Sequence, residues 1–397
     1  MRILVLVADR VNPPTSGARV RNHFLWKNLK QLGVEVRILG LDREPGLRFS
    51  PGPVSVESEF LSFERDDPLD RAINSLLYSY HQWPFSKALA KRVDEVAAEW
   101  NPQVIHAEEF RMASYLPAMR GKKSPAKQTA TLHNVESNLL RSTGSSSYPL
   151  VKPLIEKIHL LNLLRFEAKL ARDADLLFAY SQIDLQAYRK LYRNGNWSFT
   201  SGGADVRHRR PAPEVKDARL LLLGSWNYQP NLEGLQWFMS RVRPQISEKA
   251  RITVAGSHAS KSLQEKIREA GMSFVDTPSD LEVLYGSHSM AAVPLLSGSG
   301  TRGRILEAAS FGRAVVTTPK GLEGLEFEKG EGVLVADSSD EFARKTNLLL
   351  DNPREREVIA TRGYNKALAV YDWKSVAEDL LKQWKTITGR SHAHRAR

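Results

Sequence analysis

Short apolar runs alternate with longer stretches of helical periodicity along almost the whole chain. In the first half the runs that predict strands are Ile3–Ala8, Glu35–Leu39, Val54–Phe60, Val104–Ala107, Thr129–His133 and Leu176–Ser181. Helical patterns separate most of them, as at Ala18–Leu32 and Ser86–Trp100. In the second half the runs are Leu220–Gly224, Ile252–Gly256, Ser273–Asp276, Ala291–Leu296, Ala314–Thr318 and Gly332–Ala336, with helices such as Asn231–Val242 and Lys261–Ala270 between them. Alternation of this kind predicts an α/β protein with parallel sheets covered on both faces.

The series restarts in the middle, after a stretch rich in Gly and Pro that leads into the strand at Leu220. The expected organisation is a Rossmann-like domain over residues 1–200, a linker over 201–217 and a second Rossmann-like domain over 218–372. Residues 373–397 read as a C-terminal helix, able to pack back on the first domain, and a basic tail, "GRSHAHRAR", read as a frayed end. Two doubly wound domains facing a central cleft bring their strand carboxyl ends there, where ligands of open α/β sheets bind.

Composition narrows the chemistry. The 397 residues, 42% of them hydrophobic, can bury a sizeable core. There is no cysteine, which excludes disulfides, thiolate metal sites and cysteine nucleophiles. No segment reads as a secretory signal or a membrane span, so a cytoplasmic protein is expected. The net charge of +12 favours anionic partners. Zinc-finger spacing, aromatic RNA-binding motifs and long Lys/Arg blocks are absent from the sequence, so nucleic acid is not expected among them.

The densest signal is "SGSGTRGRILEAASFGRAVVTT", residues 297–318. Gly298-Ser299-Gly300-Thr301-Arg302-Gly303 fits G-x-G-x-x-G between an apolar run and a helical pattern. Glycines let the backbone approach a ligand, and the free N–H groups of the next helix face the turn, which makes an anion site suited to a phosphate or diphosphate. Arg302 can add a charge-assisted contact. Ile305, Leu306, Ala308 and Ala309 form the apolar helix face, which turns Glu307 away from the core. A carboxylate there can accept two hydrogen bonds from a vicinal diol such as a ribose. The bland alternative is a tight βα turn with a solvated Glu307.

A dinucleotide site requires this motif after the first strand of its domain and an acid ending the second strand. Here it follows the fourth strand, and the next strand ends Thr317-Thr318-Pro319-Lys320. A sugar nucleotide is therefore preferred over NAD(P).

The helix carrying E-A-x-x-x-G-x-x-V-V after this turn, with "LLGSWNYQPNLEGLQWF", "ITVAGS" and "FVDTPSDLEVLYGSHSM" before it, resembles retaining glycosyltransferases of family 4, which have the GT-B fold. In the first domain "PPTSGARVRN", "PQVIHAEEF", "TLHNVES" and "YSQIDLQAY" carry the same resemblance. It implies transfer of a sugar, with retention, from a nucleotide-diphosphate donor held by the second domain to a saccharide or lipid-linked acceptor held by the first. Glu307 is expected to bind the donor ribose. Ser299, Gly300, Thr301, Arg302 and Gly303 are expected along the diphosphate and sugar, with Gly17 approaching from the first domain. His133 matches a position lining the reaction centre and is the catalytic candidate, against the alternative of a satisfied structural histidine. Arg21 is a candidate for the acceptor, against the alternative of a solvated helix residue. Asn134 and Glu136 either touch the acceptor or cap the segment that follows. No cofactor or metal is expected: the D-x-D at Asp173-Ala174-Asp175 precedes a strand and reads as a turn.

Two departures stand out. Ser299 occupies a position where the family often carries a Glu that reads the sugar hydroxyls. The first turn of the second domain, Trp226 to Asn231, lacks the Arg/Lys pair that often neutralises the diphosphate, and Arg302 is the candidate substitute. Apolar segments edged with Lys and Arg, Ser75–Arg92 and Pro153–Arg172, offer peripheral contact with an anionic membrane or, alternatively, ordinary core-facing helices. A non-catalytic nucleotide-sugar-binding protein on the same scaffold is the competing function. An epimerase or a phosphorylase of related fold is a further alternative.

Overall fold

The computed structural model describes residues 1–12, 17–42, 56–62, 85–143, 152–209, 211–298, 302–327 and 330–393. The chain divides into two compact units, Met1–Ser201 with Val376–Arg397, and Gly202–Ser375.

Among the described residues the first unit holds a parallel sheet of seven strands: β1 (Arg2–Val7), β2 (Glu35–Asp42), β3 (Glu57–Ser62), β4 (Val104–Glu108), β5 (Lys127–Leu132), β6 (Leu176–Ala179) and β7 (Trp197–Phe199). Their order is β3-β2-β1-β4-β5-β6-β7. The order reverses between β1 and β4, which leaves a crevice at the carboxyl ends of the central strands. Those strands are buried nearly throughout, as sheets covered on both faces require, and β1 is apolar from Ile3 to Val7. The helix Gly17–Gln31 leaves the carboxyl side of β1 and stacks Trp26 on Trp384 of the C-terminal helix Trp373–Ala393, with ring centroids 6.2 Å apart. That helix continues to Ala393, into the stretch read as a frayed tail; residues 394–397 lie outside the described ones.

Two strands depart from the sequence pattern. β3 starts at Glu57, and Val54 and Ser55 of the expected strand lie outside the described residues. β7 was hidden in the Gly-rich approach to the expected linker. It is three residues long, too short to show a period, and is held by pairing to β6 and by Trp197 stacking on Tyr188 at 4.4 Å.

The second unit holds, among the described residues, a six-stranded parallel sheet in the order β10-β9-β8-β11-β12-β13. The strands are β8 (Arg219–Ser225), β9 (Arg251–Ser257), β10 (Ser273–Asp276), β11 (Met290–Val293), β12 (Ala314–Thr317) and β13 (Val333–Val335). β8 and β11 flank its reversal point. The run expected as a strand to Leu296 stops at Val293, because Pro294 has no N–H to continue the ladder. The close approach of helix Gln229–Trp237 follows from Gly234: a Cβ there would lie 2.1 Å from the Pro294 carbonyl oxygen. The segment read as a linker is tied into this unit. Ala204 bridges Asp372, Arg207 Nε donates to Asp372 at 2.8 Å, and Ala212 N donates to Phe311 O at 3.0 Å.

Asp173 ends the helix Lys152–Asp173 and Asp175 precedes β6, so the D-x-D is a turn. Its Asp175 carboxylate accepts from Gln128 N and Lys127 Nζ, both at 2.8 Å. Among the described residues no helix is long and apolar enough to cross a membrane.

Candidate functional site

In the second unit the Gly-rich turn leaves β11. Gly298 takes φ +93°, a conformation glycine supplies without strain. Ser299, Gly300 and Thr301 lie outside the described residues. Arg302 is the N-cap of the helix Gly303–Ser310, and Gly312, at φ +66°, closes it. The apolar face is as the sequence reads: Ile305, Leu306, Ala308 and Ala309 are buried.

Arg302 is 5% exposed. Its Nη2 donates to the Gly298 carbonyl at 3.2 Å and to Glu323 Oε2 at 3.1 Å. Lys320 Nζ reaches the same carboxylate oxygen at 2.5 Å. Two cations thus share one carboxylate at the carboxyl ends of β11 and β12. Around it, Ser297 Oγ donates to Glu233 Oε2 at 2.5 Å and Thr318 Oγ1 donates to the Leu295 carbonyl, so side chains from neighbouring segments pin both flanks of the turn.

Glu307 is not simply solvated. Its side chain is 18% exposed; Tyr285 Oη donates to Oε1 at 3.0 Å, and Arg304 Nη1 lies 3.1 Å from both oxygens. Burial and the Glu307 charge push the Tyr285 phenol well above its usual range, so it stays a donor. A carboxylate has about four lone-pair sites, so these contacts orient Glu307 and leave capacity for a diol. The first turn of the unit carries no cation, as read, but it is polar: Ser225 Oγ donates to Asn227 Oδ1 at 2.8 Å, and Ser257 Oγ lies 2.9 Å from His258 Nδ1. The Trp226 indole N–H beside it is buried without a hydrogen-bond partner among the described residues.

In the first unit three strands end on one cluster. Glu108 is the last residue of β4, His133 follows β5, and Tyr180 follows β6. Gly17 opens the helix after β1, which brings Arg21 in. Arg21 is 1% exposed, so the solvated alternative is wrong for it. Its Nε donates to Glu108 Oε1 at 2.7 Å, its Nη1 donates to the Ser201 carbonyl at 2.9 Å, and its guanidinium lies 4.7 Å over the Tyr180 ring. His133 Nε2 lies 3.0 Å from Glu108 Oε1, and His106 Nε2 lies 3.3 Å from Glu108 Oε2. Burial alone would raise the Glu108 carboxyl, but Arg21 and the two imidazoles hold it well below the usual range. Burial lowers His106, against the pull of Glu108.

The capping alternative fails for Asn134, whose side-chain Oδ1 has no hydrogen-bond partner among the described residues. The helix Glu136–Thr143 is capped from outside: Ser137 N donates to Glu167 Oε1 at 3.2 Å. Glu136 is its first residue and is buried. The Asn134 carbonyl accepts from Tyr188 Oη at 2.6 Å, while its side-chain Oδ1 is buried without a hydrogen-bond partner among the described residues.

Sequence reasoning passed over Glu108, although a carboxylate closing the apolar run "VIHAE" was a usable signal. It also passed over Tyr285 and Lys320, whose roles come from contacts across the fold with no local pattern. Among the described residues no group of His, Asp and Glu is spaced to hold a metal ion.

Residues 217–352 match the family of glycosyl transferases group 1. A curated relative, an uncharacterized 44.6 kDa protein in the cps region of Klebsiella pneumoniae, is 25% identical over 182 residues, 43% of this chain. The match spans about half (47%) of that relative's length. Among solved structures, sucrose-phosphate synthase from Thermosynechococcus elongatus superposes with a TM-score of 0.72 at 14% identity, over 98% of this chain and all (100%) of the other. The Anabaena protein HepE in complex with UDP gives 0.69 at 15% identity over 97% of this chain and 100% of its own. WaaG, described as a glycosyltransferase involved in lipopolysaccharide biosynthesis, gives 0.63 at 13% identity over 98% and 100%. The fold is GT-B.

Proposed function

With residues 217–352 a group 1 glycosyltransferase domain, we propose that this protein transfers a sugar from a nucleotide-diphosphate sugar to an acceptor hydroxyl, in polysaccharide or glycoconjugate synthesis. The observation that carries this reading is the pairing, on one short helix, of an N-terminus with Arg302 at its cap and a carboxylate, Glu307, held ready on its outer side.

Bond cleavage between sugar and diphosphate gives an oxocarbenium-like transition state with negative charge growing on the leaving phosphate. The free N–H groups of Gly303–Ser310 and the Arg302–Lys320 pair are fixed positive groups that stabilise such charge without reorganising. That assigns the diphosphate to the β11–β12 turns, the neutralising role of a first-turn cation pair to Arg302 with Lys320, and the ribose diol to Glu307. A uridine nucleotide is supported by the structurally similar HepE, described in complex with UDP and with UDP-glucose. No metal is assigned a step. In the first unit Arg21, Asn134 and Glu136 are assigned to the acceptor, a saccharide or lipid-linked saccharide, and His133 to the reaction centre. Retention of configuration rests on the family resemblance.

The helix Lys152–Asp173 supports peripheral contact with an anionic membrane. Its outward stripe carries Leu154, 62% exposed, and Leu161, 53% exposed, with Lys157 and Arg165 at the intervening turns. The other segment read this way, Ser75–Arg92, lies outside the described residues up to Pro84.

The reading is tested by a thermal-shift screen over UDP-, GDP- and dTDP-sugars followed by product analysis with candidate acceptors. Stabilisation by one nucleotide sugar and transfer from it support the reading; binding without transfer or hydrolysis would favour a non-catalytic binding protein.

A further inference from the structure

Glu108 sits at 0% exposure at the end of β4 with every contact directed at one carboxylate. Arg21 and His133 share Oε1, at 2.7 and 3.0 Å, and His106 faces Oε2 at 3.3 Å. A carboxylate against a buried guanidinium is ionised and can only accept. The nitrogen of His133 that faces it must then carry the proton.

The same carboxylate fixes the tautomer of His106. Trp384 Nε1 can only donate, and it donates to Thr129 Oγ1 at 3.2 Å. His106 Nε2 lies 3.3 Å from the Glu108 carboxylate, which can only accept, so Nε2 carries the His106 proton and Nδ1 accepts from the Thr129 hydroxyl at 2.8 Å. His106 cannot offer Glu108 anything but a donor.

We propose that Glu108 is a positioning residue that holds His133 as the Nε2–H tautomer and so presents its Nδ1 lone pair as a hydrogen-bond acceptor for a hydroxyl of the bound saccharide. Three further observations support the placement. The His133 ring packs on Tyr180 at 4.6 Å, which fixes its plane. The His133 side chain is 24% exposed, against 0% for Glu108, so it is the open edge of a closed network. Among the described residues His133 Nδ1 has no protein partner. The inference rests on the acceptor-binding reading of the first unit only for the identity of the hydroxyl; the tautomer follows from this chain's own atoms. The charged and titratable groups packed on His133 are Glu108, Arg21, His106 and Tyr180.

The test uses the full chain labelled with 15N-histidine, with the His133 signals assigned by loss in His133→Asn. Long-range 1H–15N spectra at neutral pH are expected to show His133 protonated on Nε2 alone. In Glu108→Gln, whose amide can donate as well as accept, His133 is expected to become a mixture of tautomers. A wild-type His133 protonated on Nδ1, or on both nitrogens, overturns the proposal, and so does an unchanged tautomer in a folded Glu108→Gln protein. Because the wild-type spectrum decides by itself, a Glu108→Gln chain that fails to fold does not block the test. Absence of any sugar transfer would sink the functional reading and leave the tautomer result standing. Where transfer is measured, Glu108→Gln is expected to raise the acceptor KM at least tenfold with the donor KM unchanged; a change confined to the donor KM contradicts the assigned role.

Discussion

Arg302 Nη2 and Glu323 Oε2 meet at 3.1 Å, and Lys320 reaches the same oxygen from the following strand's end. The carboxylate therefore holds two cations side by side at a helix N-terminus. Replacing Arg302 by Ala removes one charge-assisted contact to the diphosphate. It is expected to raise the donor KM about ten- to a hundredfold, with Arg302→Lys in between, since Lys keeps the charge and loses the planar fork. Glu323→Gln leaves both cations without their counter-charge and is expected to tighten nucleoside-diphosphate binding in a salt-sensitive way, read by calorimetry at two ionic strengths. Unchanged donor KM in both Arg302 variants would remove this residue from the diphosphate site.

Glu307 is held by Tyr285 and Arg304, so the two classes of substitution should separate. Glu307→Ala is expected to abolish detectable stabilisation by the nucleotide sugar. Tyr285→Phe removes one hydrogen bond to a charged carboxylate, worth about 1.5–3 kcal/mol, and is expected to weaken donor binding about ten- to a hundredfold. Titration of each variant with nucleoside diphosphate checks this. A Tyr285→Phe protein that binds as wild type would mean that Arg304 alone orients the carboxylate.

Acid should destabilise the first unit through His106 and Glu108. The folded His106 pKa is depressed, so below its ordinary value of about 6.5 the unfolded chain takes up a proton that the folded chain refuses. Stability on this account is fully present above that pH and falls as pH drops through it. Glu108, also depressed, adds a loss of the same sign below about 4.3. Buried His288 acts as His106 does, whereas Glu167, raised by burial, works in the opposite sense over its own range. Urea midpoints at pH 7.5, 6.5 and 5.5 should fall in sequence for the wild type and less steeply for His106→Asn. Parallel slopes would show that His106 is protonated in the folded protein.

The outward stripe of helix Lys152–Asp173 predicts that the protein floats with vesicles containing anionic lipid at low salt and not with neutral ones. Leu154→Ser with Leu161→Ser is expected to reduce flotation without lowering the melting temperature, because both side chains already face solvent. Equal flotation with neutral vesicles, or none with anionic ones, removes the membrane contact.

Much of this fold is legible in the sequence because parallel strands buried on both faces are written as unbroken apolar runs; β1, β4, β8 and β12 stand where the pattern places them. β7 is not legible, since three residues carry no period and its place depends on Tyr188 and β6. In the site, glycines and a helix start are local signals, and they identify the turn at Gly298 and the helix carrying Glu307. The partners of those residues are long-range. Tyr285 meets Glu307 across 22 positions, and Glu108 meets Arg21 across 87. Arg21 looked like a solvated helix residue because its counter-charge lies on another strand. Asn134 looked like a cap because its neighbour opens a helix, but Glu167 supplies that contact.

The central claim is that Gly303–Ser310 carries a sugar-nucleotide site used for transfer. It is tested most directly by incubating wild-type and Glu307→Ala protein with radiolabelled UDP-, GDP- and dTDP-sugars and extracts containing lipid-linked saccharides. Wild type should release nucleoside diphosphate in equal amount to the sugar appearing in an acceptor, and Glu307→Ala should do so at least a hundredfold more slowly. Nucleotide-sugar binding with no label in any acceptor, or equal transfer by the two proteins, would contradict the account.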